Sequence, residues 1–433
     1  MADFDKIKIN GVPYNVKDTA TAQAVAQVRS DLAETNETVQ QQGHQITQQG
    51  QQITQQGQQI AQQITQQGQQ IAQQGQQIAQ QGQQIAELGS DITAQKVNIT
   101  DVKTAGAAGD GVTDDTAAIQ AALDNGGCVY FPKGTYRITG SLYPKSNTKM
   151  FGCGTIKLDN QESSSSLYAV RIIGDVNNTL ENITIDGLNF TGVDPGNGAT
   201  RDGITIGQSR GISSRVCNNI TISNCRITGF NGRGLDTFAG AAGDGYSHGY
   251  PQIYVKHVYI EHCGTTPFCN SGVMLFVDDV YLDNPGCENE QMTVDNGCQN
   301  SQFSNIYAIH SGGGAGVISI DEGRFLEFNN ITVLTDVALP AIRLNCASGN
   351  VDNTIFNNLS VSGGTYGVSL GSATHDAQLI LSNYRAVNLT VKDFQVQGNG
   401  VFIVNGAYCE KTTQADFDAL PGTHVIAGSI LGM

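Results

Sequence analysis

From about residue 96 onward the chain keeps returning to one short phrase, and that return limits what it can fold into. The phrase is a polar residue followed by apolar–polar–apolar alternation. It reads Asn182-Ile183-Thr184-Ile185, Asn219-Ile220-Thr221-Ile222, His257-Val258-Tyr259-Ile260 and Asp279-Val280-Tyr281-Leu282. It continues as Asn305-Ile306-Tyr307-Ala308, Asn330-Ile331-Thr332-Val333, Asn358-Leu359-Ser360-Val361 and Asn388-Leu389-Thr390-Val391. A period of two sends successive side chains to opposite faces of a strand. Repeats spaced 22 to 38 residues apart cannot bury an apolar face alone and must stack on one another. The expected body is mainly β, a parallel β-helix with one repeat per rung.

A second strand recurs inside each rung. Its members are Gly203-Ile204-Thr205-Ile206, Gly234-Leu235-Asp236, Gly272-Val273-Met274-Leu275, Met292-Thr293-Val294-Asp295, Ile318-Ser319-Ile320-Asp321, Ile342-Arg343-Leu344-Asn345, Val368-Ser369-Leu370 and Val401-Phe402-Ile403. The inward positions are aliphatic and the outward ones small, polar or charged. Aligning the rungs puts Thr293, Ser319 and Arg343 in one outward column, and Asp295, Asp321 and Asn345 in the next. Rungs about 4.8 Å apart make Asp295 and Asp321 neighbouring carboxylates, and such a pair raises one pKa and supplies an acid beside a base or nucleophile. Asp295, Asp321, Glu322 and Asp236 are the candidate catalytic residues, with Arg343, Arg324 and Asn345 as candidate substrate contacts. The alternative is that these acids are solvated surface groups. The longest loops are expected around 238–249 and 263–272. Corner packing is expected for Cys225 and Cys263 in adjacent rungs, and for His257, His262 and His310 at turns.

Residues 101–136 carry a more specific signature. Gly106-Ala107 and Gly109-Asp110-Gly111 lead into Thr113-Asp114-Asp115-Thr116, followed by a short amphipathic helix, and Val129-Tyr130-Phe131-Pro132 and Gly134-Thr135-Tyr136 follow. Asp114 and Asp115 suit the start of that helix, since aspartate satisfies orphan amides there. The stretch resembles the opening of the pectate-lyase superfamily of right-handed parallel β-helices, which includes polygalacturonase-like enzymes and many phage tailspikes. The resemblance implies a right-handed body and a structural role for both aspartates. It does not carry pectin chemistry. Of the family's Asn-x-Asp, Asp-Asp, Gly-His-Gly and Arg-x-Lys set, a rung's first strand carries Asp278-Asp279, His248-Gly249 lacks the preceding Gly, and Arg343-Leu344-Asn345 lacks the Lys.

Ahead of the body stand two further segments. In residues 1–22, Ile7 and Ile9, then Asn10-Gly11, then Val12, Tyr14 and Val16 signal a hairpin, read as a virion-attachment head. Residues 23–95 follow a heptad. Val25, Leu32, Val39, Ile46, Ile53 and Ile60 fall at position a, then Ile64, Ile71, Ile78, Ile85 and Ile92 after a four-residue stutter. The d layers are Val28, Thr35, Gln42, Gln49, Gln56, Gln67, Gln74, Gln81 and Leu88. Isoleucine at a favours more than two strands, so a parallel trimeric coiled-coil stalk is expected, against the alternative of a disordered Gln/Gly-rich linker. The β-helix is assigned to 96–410 and a C-terminal cap to 411–433.

Charge narrows the partners. With 23 Lys and Arg against 39 Asp and Glu, the net charge is −16, which disfavours nucleic acid and anionic membrane surfaces. No apolar run reaches membrane-spanning length, and the start MADFDKIKIN has no signal-peptide core. The ten Cys include no CxxC pair, so reduced thiols are expected, with no metal and no cofactor. The resulting expectation is a homotrimeric phage tailspike or tail fibre, made in the host bacterial cytoplasm and carried on the virion. Its head would meet tail or baseplate proteins. Its body would bind a bacterial surface polysaccharide and act as a depolymerase, by hydrolysis rather than elimination. The alternatives are a non-catalytic glycan-binding fibre and a structural spacer.

Overall fold

A computed structural model describes residues 6–15, 19–97, 99–174, 179–207, 217–238, 252–310, 312–346, 349–371, 375–398, 400–426 and 430–432. The chain divides into two compact units, Met1–Thr93 and Ala94–Met433. In the first, strands Lys6–Ile9 and Val12–Asn15 pair antiparallel, with Ile7 opposite Tyr14. Asn10 and Gly11 both take positive φ (49° and 77°), the turn an Asn-Gly hairpin uses.

Helix α1 (Thr19–Val97) runs for 79 residues, about 120 Å at 1.5 Å per residue. In the single chain Val25, Leu32, Val39, Ile46, Ile53, Ile60, Ile64, Ile71, Ile78 and Ile85 are all exposed, as are Val28 and Leu88. A helix with that much apolar surface in water is stable only when the stripe is covered. Gly43, Gly50, Gly57, Gly68, Gly75 and Gly82 fall four residues after an a position, beside the seam, and a Cβ on any of them meets open space. Nothing within one chain therefore explains these glycines.

The second unit is a single 26-stranded stack of parallel pairings. Its core is a continuous column of fully buried aliphatic and aromatic side chains from Val102 to Phe417. Within it Phe303, Phe328 and Phe356 stack face to face, with centroids 4.8 Å and 4.3 Å apart. Helix α2 (Thr116–Asp124) buries Ile119, Ala122 and Leu123 against the first rung. Asp114 accepts from the Thr116 amide (3.1 Å), while Asp115 accepts from the Ala108 and Gly109 amides (2.6 and 3.0 Å). Both aspartates are structural, but only Asp114 serves the helix start. Asp115, at the cap position, pins the glycine-rich loop.

Each complete rung has three faces. The first is formed by Arg201–Gly207, Leu235–Phe238, Phe268–Val273, residues 292–294, Ile318–Ile320, Ile342–Leu344, Tyr366–Leu370 and Lys392–Val396. The other two are halves of longer strands such as Ile253–Glu261 and Val351–Ser362, bent at a corner. That corner is a ladder of left-handed residues: Asn224, His257, Asp279, Asn305, Asn330, Asn358 and Asn383, with φ between 52° and 60°. Asparagine tolerates this conformation. Its amide adds a bond to the next rung: Asn330 donates to Asn305 (3.0 Å), Asn358 to Asn330 (2.9 Å) and Asn383 to Asn358 (3.0 Å). Asn147, Asn182 and Asn219 form a separate left-handed ladder at the start of the second face.

This register corrects the alignment read from sequence. Asn182 and Asn219 do not stack on His257. Ile222 pairs with Val255, and the partner of Val258 is Cys225, so the missing rung is Asn224-Cys225-Arg226-Ile227. Asn388-Leu389-Thr390-Val391 is no strand, and Asn383-Tyr384-Arg385-Ala386 takes its place. Cys225 and Cys263 therefore lie at different corners. On the first face Phe268 and Phe394, not Gly272 or Val401, continue the series. The expected loop at 263–272 is a short turn into Phe268–Val273. The expected loop at 238–249 falls almost wholly outside the described residues.

At the C-terminal end, helix α3 (Gln414–Asp418) starts on a Thr413–Asp416 capping box. It buries Phe417 against Phe394, Phe402 and His424. Thr423–Ile426 then pairs with 401–404 and Ile430–Gly432 with 407–409, the last strands of the stack.

Candidate functional site

The outward column of the first face reads Arg171, Thr205, Asp236, Cys269, Thr293, Ser319, Arg343, Ser369 and Gln395, one residue per rung. Beside it, Asp295 is level with Ser271. The amides of Asp321 and Asn345 donate to Val294 and Ile320 (both 2.8 Å), continuing the same register. Asp295, Asp321 and Asn345 thus occupy successive rungs. Asp321 accepts from the Ser319 hydroxyl at 3.1 Å. Arg343 is half-buried, its Nη1 donating to the Ala315 carbonyl at 3.4 Å. Glu322 lies over Gly349, where a Cβ would come within 3.0 Å of Oε1.

Two predicted members stand apart. Arg324 belongs to the next stretch, Gly323–Thr335, where its Nε faces Asp352 at 3.4 Å. Asp236 shares a column with Ser319 but sits three rungs away, about 14 Å at 4.8 Å per rung. Asp278-Asp279, the Asp-Asp pair within the rungs, is a corner feature. Asp279 takes positive φ and pairs with His257, and Asp278 accepts from Asn305 at 2.7 Å. His248-Gly249 lies outside the described residues. His310 is not a turn residue but a buried one, with Nδ1 accepting from Gln291 (3.0 Å) and Nε2–H donating to Gly313 (2.8 Å). Burial lowers its pKa.

Asp236 instead anchors a tighter cluster with residues that sequence reading missed. Arg233 Nη1 donates to Asp236 Oδ2 at 2.6 Å, and the Arg233 backbone amide donates to Asp202 Oδ1 at 2.7 Å. One residue therefore links two carboxylates through separate groups. Gly232 makes room for this, since a Cβ there would collide with Asp202 Oδ1. Arg201, fully buried, fixes the strand start by donating to the carbonyls of Asn160, Ser163, Ser165 and Thr200. Across the next rung Arg171 lies 4.7 Å over the Tyr168 ring, and Tyr168 is level with Asp202.

The electrostatics single out Asp202. Burial, reinforced by the nearby Asp236 charge, pushes Asp202 up to about 6 against the opposing Arg233 amide. Burial pulls the Arg233 guanidinium down, but Asp236 and the bond between them hold it above its ordinary value. Burial and the Asp236 charge push the neighbouring Cys269 thiol up to about 12, so it remains a thiol at neutral pH. The face thus presents a carboxyl group that keeps its proton near pH 6 beside a carboxylate held on an arginine. A carboxyl group that still holds a proton near pH 6 is what acid-assisted bond cleavage uses. Among the described residues no group of three or more His, Cys, Asp or Glu is placed to hold a metal ion.

Residues 99–284 match the family model described as rhamnogalacturonase A/epimerase, pectate lyase-like. The chain is 53% identical over 62 residues, 13% of its length, to mannuronan C5-epimerase AlgE5 of Azotobacter vinelandii. It is 35% identical over 126 residues, 28% of its length, to the pre-neck appendage protein of Bacillus phage phi29. These matches span only 6% and 14% of the two curated relatives' own lengths. Among solved structures, tailspike protein 2 of Escherichia coli O157:H7 bacteriophage CAB120 superposes with a TM-score of 0.56 at 16% identity, over 71% of this chain and 42% of that one. Residues 99–284 thus resemble the pectate-lyase-like family, and the body shares its parallel β-helix fold with that tailspike structure.

Proposed function

We propose that this protein is a phage tail appendage that binds a bacterial surface polysaccharide and hydrolyses its glycosidic bonds. The tailspike architecture and the phage-appendage and polysaccharide-epimerase relatives support a polysaccharide-directed role on a virion. The observation that carries the chemistry is Arg233 joining Asp202 and Asp236. Asp202, protonated near pH 6, is the general acid for the leaving oxygen. Asp236 is the second carboxylate that an oxocarbenium-like transition state needs. Further along the face, Asp295, Asp321, Glu322, Arg343 and Asn345 contact the sugars on one side of the bond. Arg324, tied to Asp352, takes no part.

The exposed stripe of α1 supports a homotrimer, in which three copies bury their a residues and the glycines beside the seam let the helices approach. The hairpin of Lys6–Ile9 and Val12–Asn15 is then the head that meets tail proteins.

The test is the viscosity of purified capsular polysaccharide solutions incubated with the protein. Wild type lowers the viscosity of one of them, and Asp202→Asn slows the fall by about 10²–10⁴-fold, the range for a lost general acid. An undiminished rate in Asp202→Asn removes the acid. Saturable binding without any fall in viscosity makes the protein a non-catalytic glycan-binding fibre.

A further inference from the structure

The second face of the β-helix carries a groove of about 440 Å³, lined by Tyr254, Lys256, Phe276, Asp278, Asn305 and Asn330 among others. Its residues lie on strands Ile253–Glu261, Leu275–Asp283 and their successors, on a different face of the rung from Asp202 and Asp236. We propose that this groove is a non-cleaving saccharide-binding site that holds a stretch of the same glycan the first face acts on. The proposal rests on the polysaccharide reading above.

The lining has the chemistry of a sugar cradle. Tyr254 and Phe276, half-buried on neighbouring rungs, stack with centroids 5.1 Å apart and planes 14° off parallel. They form an aromatic step against which the C–H face of a pyranose ring packs. Beside the step runs the amide ladder, where Asn305 donates to Asp278 (2.7 Å) and Asn330 to Asn305 (3.0 Å). A primary amide has two N–H donors, so each of these keeps one for a sugar hydroxyl. Lys256 is exposed and has no ion-pair partner among the described residues, which gives the groove a cation for an acidic or hydroxyl-rich sugar. An apolar platform with a few convergent polar groups is the usual make-up of a ligand cleft, and 440 Å³ lies within the usual size range.

Cleavage is not what this groove is built for. Asp278 is the one carboxylate lining it, and Asn305 already donates to that group, whereas glycoside hydrolysis takes two carboxyls across the bond. The polar ladder also argues against a subunit interface, since obligate interfaces are more apolar. A binding groove away from the cutting face keeps a long chain on the protein between cuts.

The test uses full-length protein carrying Asp202→Asn, so that bound glycan is not degraded. Retention is measured on an immobilised panel of purified bacterial capsular polysaccharides and lipopolysaccharides. Two groove variants are compared in that background: Phe276→Ala, which removes half the step, and Ser304→Arg, which fills the groove and leaves the rings. Both changes are outward-facing, and unchanged thermal melting verifies that each variant folds. The expected result is retention on one polysaccharide that falls about tenfold or more in each variant, as for a buried aromatic anchor. Undiminished retention in both variants overturns the groove and leaves the polysaccharide reading standing. No retention by any of the proteins, wild type included, overturns both.

Discussion

Replacing Asp202 with Asn should change how the stability of the body depends on pH, in a direction the structure fixes. The native carboxyl titrates near 6 rather than 3.8. Between those values the folded state holds a proton that the unfolded chain has released. Stability from this group is therefore complete below about pH 4 and is lost as pH climbs through about 6. A shift of about two units corresponds to about 3 kcal/mol at most. Because Asp202 is only half-buried, screening reduces this to about 1–2 kcal/mol. Asn keeps the acceptor for the Arg233 amide and cannot ionise. At pH 4 the variant should melt with wild type. At pH 7.5 it should melt about 1–3 °C higher, taking about 2 cal/mol/K of unfolding entropy per residue over the body. The assay is thermal unfolding followed by circular dichroism across that range. An equal offset at both pH values, or a variant less stable at pH 7.5, would refute the claim that Asp202 keeps its proton near pH 6.

Other consequences are as direct. Phe328→Ala, at the centre of the stacked Phe303–Phe328–Phe356 column, should cost about 3–5 kcal/mol in denaturant unfolding; a cost under about 1 kcal/mol would mean the rungs collapse into the space. Asn330→Ala should cost about 1–3 kcal/mol, combining a left-handed backbone penalty with lost ladder bonds, and Asn330→Gly should recover part of it because glycine accepts that φ. Equal losses in the two would remove the backbone part of the account. Sedimentation equilibrium of the full chain should return three times the 45.8 kDa chain mass; a monomer would contradict the trimer drawn from the α1 stripe.

The rung architecture was legible because an inward aliphatic pattern survives in every repeat. The stacking order was not. Two different corners both use Asn followed by apolar–polar–apolar alternation, at Asn182 and Asn219 and again at Asn305, Asn330 and Asn358. A one-dimensional pattern has no means of telling one corner from the other. The rungs that would have shown the difference begin Asn224-Cys225-Arg226 and Asn383-Tyr384-Arg385, where cysteine and tyrosine fill the inward positions. Asp236 was found because it holds an outward position on a clean strand. Asp202 and Arg233 were missed because they stand just before Gly203 and Gly234, at positions that read as turn. A charged residue directly ahead of a strand-opening glycine in consecutive rungs was the available signal. The Asp278-Asp279 pair shows the converse, a motif-like dipeptide whose geometry is that of a corner. The groove at Tyr254 and Phe276 was hidden because both residues stand three positions ahead of the repeated phrases at His257 and Asp279, outside any strand read from the sequence.

Hydrolysis of a glycan on the first face is read from product analysis in ¹⁸O-labelled water. Wild type, Asp202→Asn and Asp321→Asn are incubated with a panel of bacterial surface polysaccharides, and the new chain ends are read by mass spectrometry. Wild type should release new reducing ends carrying ¹⁸O from one polysaccharide, Asp202→Asn almost none, and Asp321→Asn fewer. Unsaturated ends without label would make the reaction an elimination. Labelled ends released equally by Asp202→Asn would place the cutting acid elsewhere on the molecule.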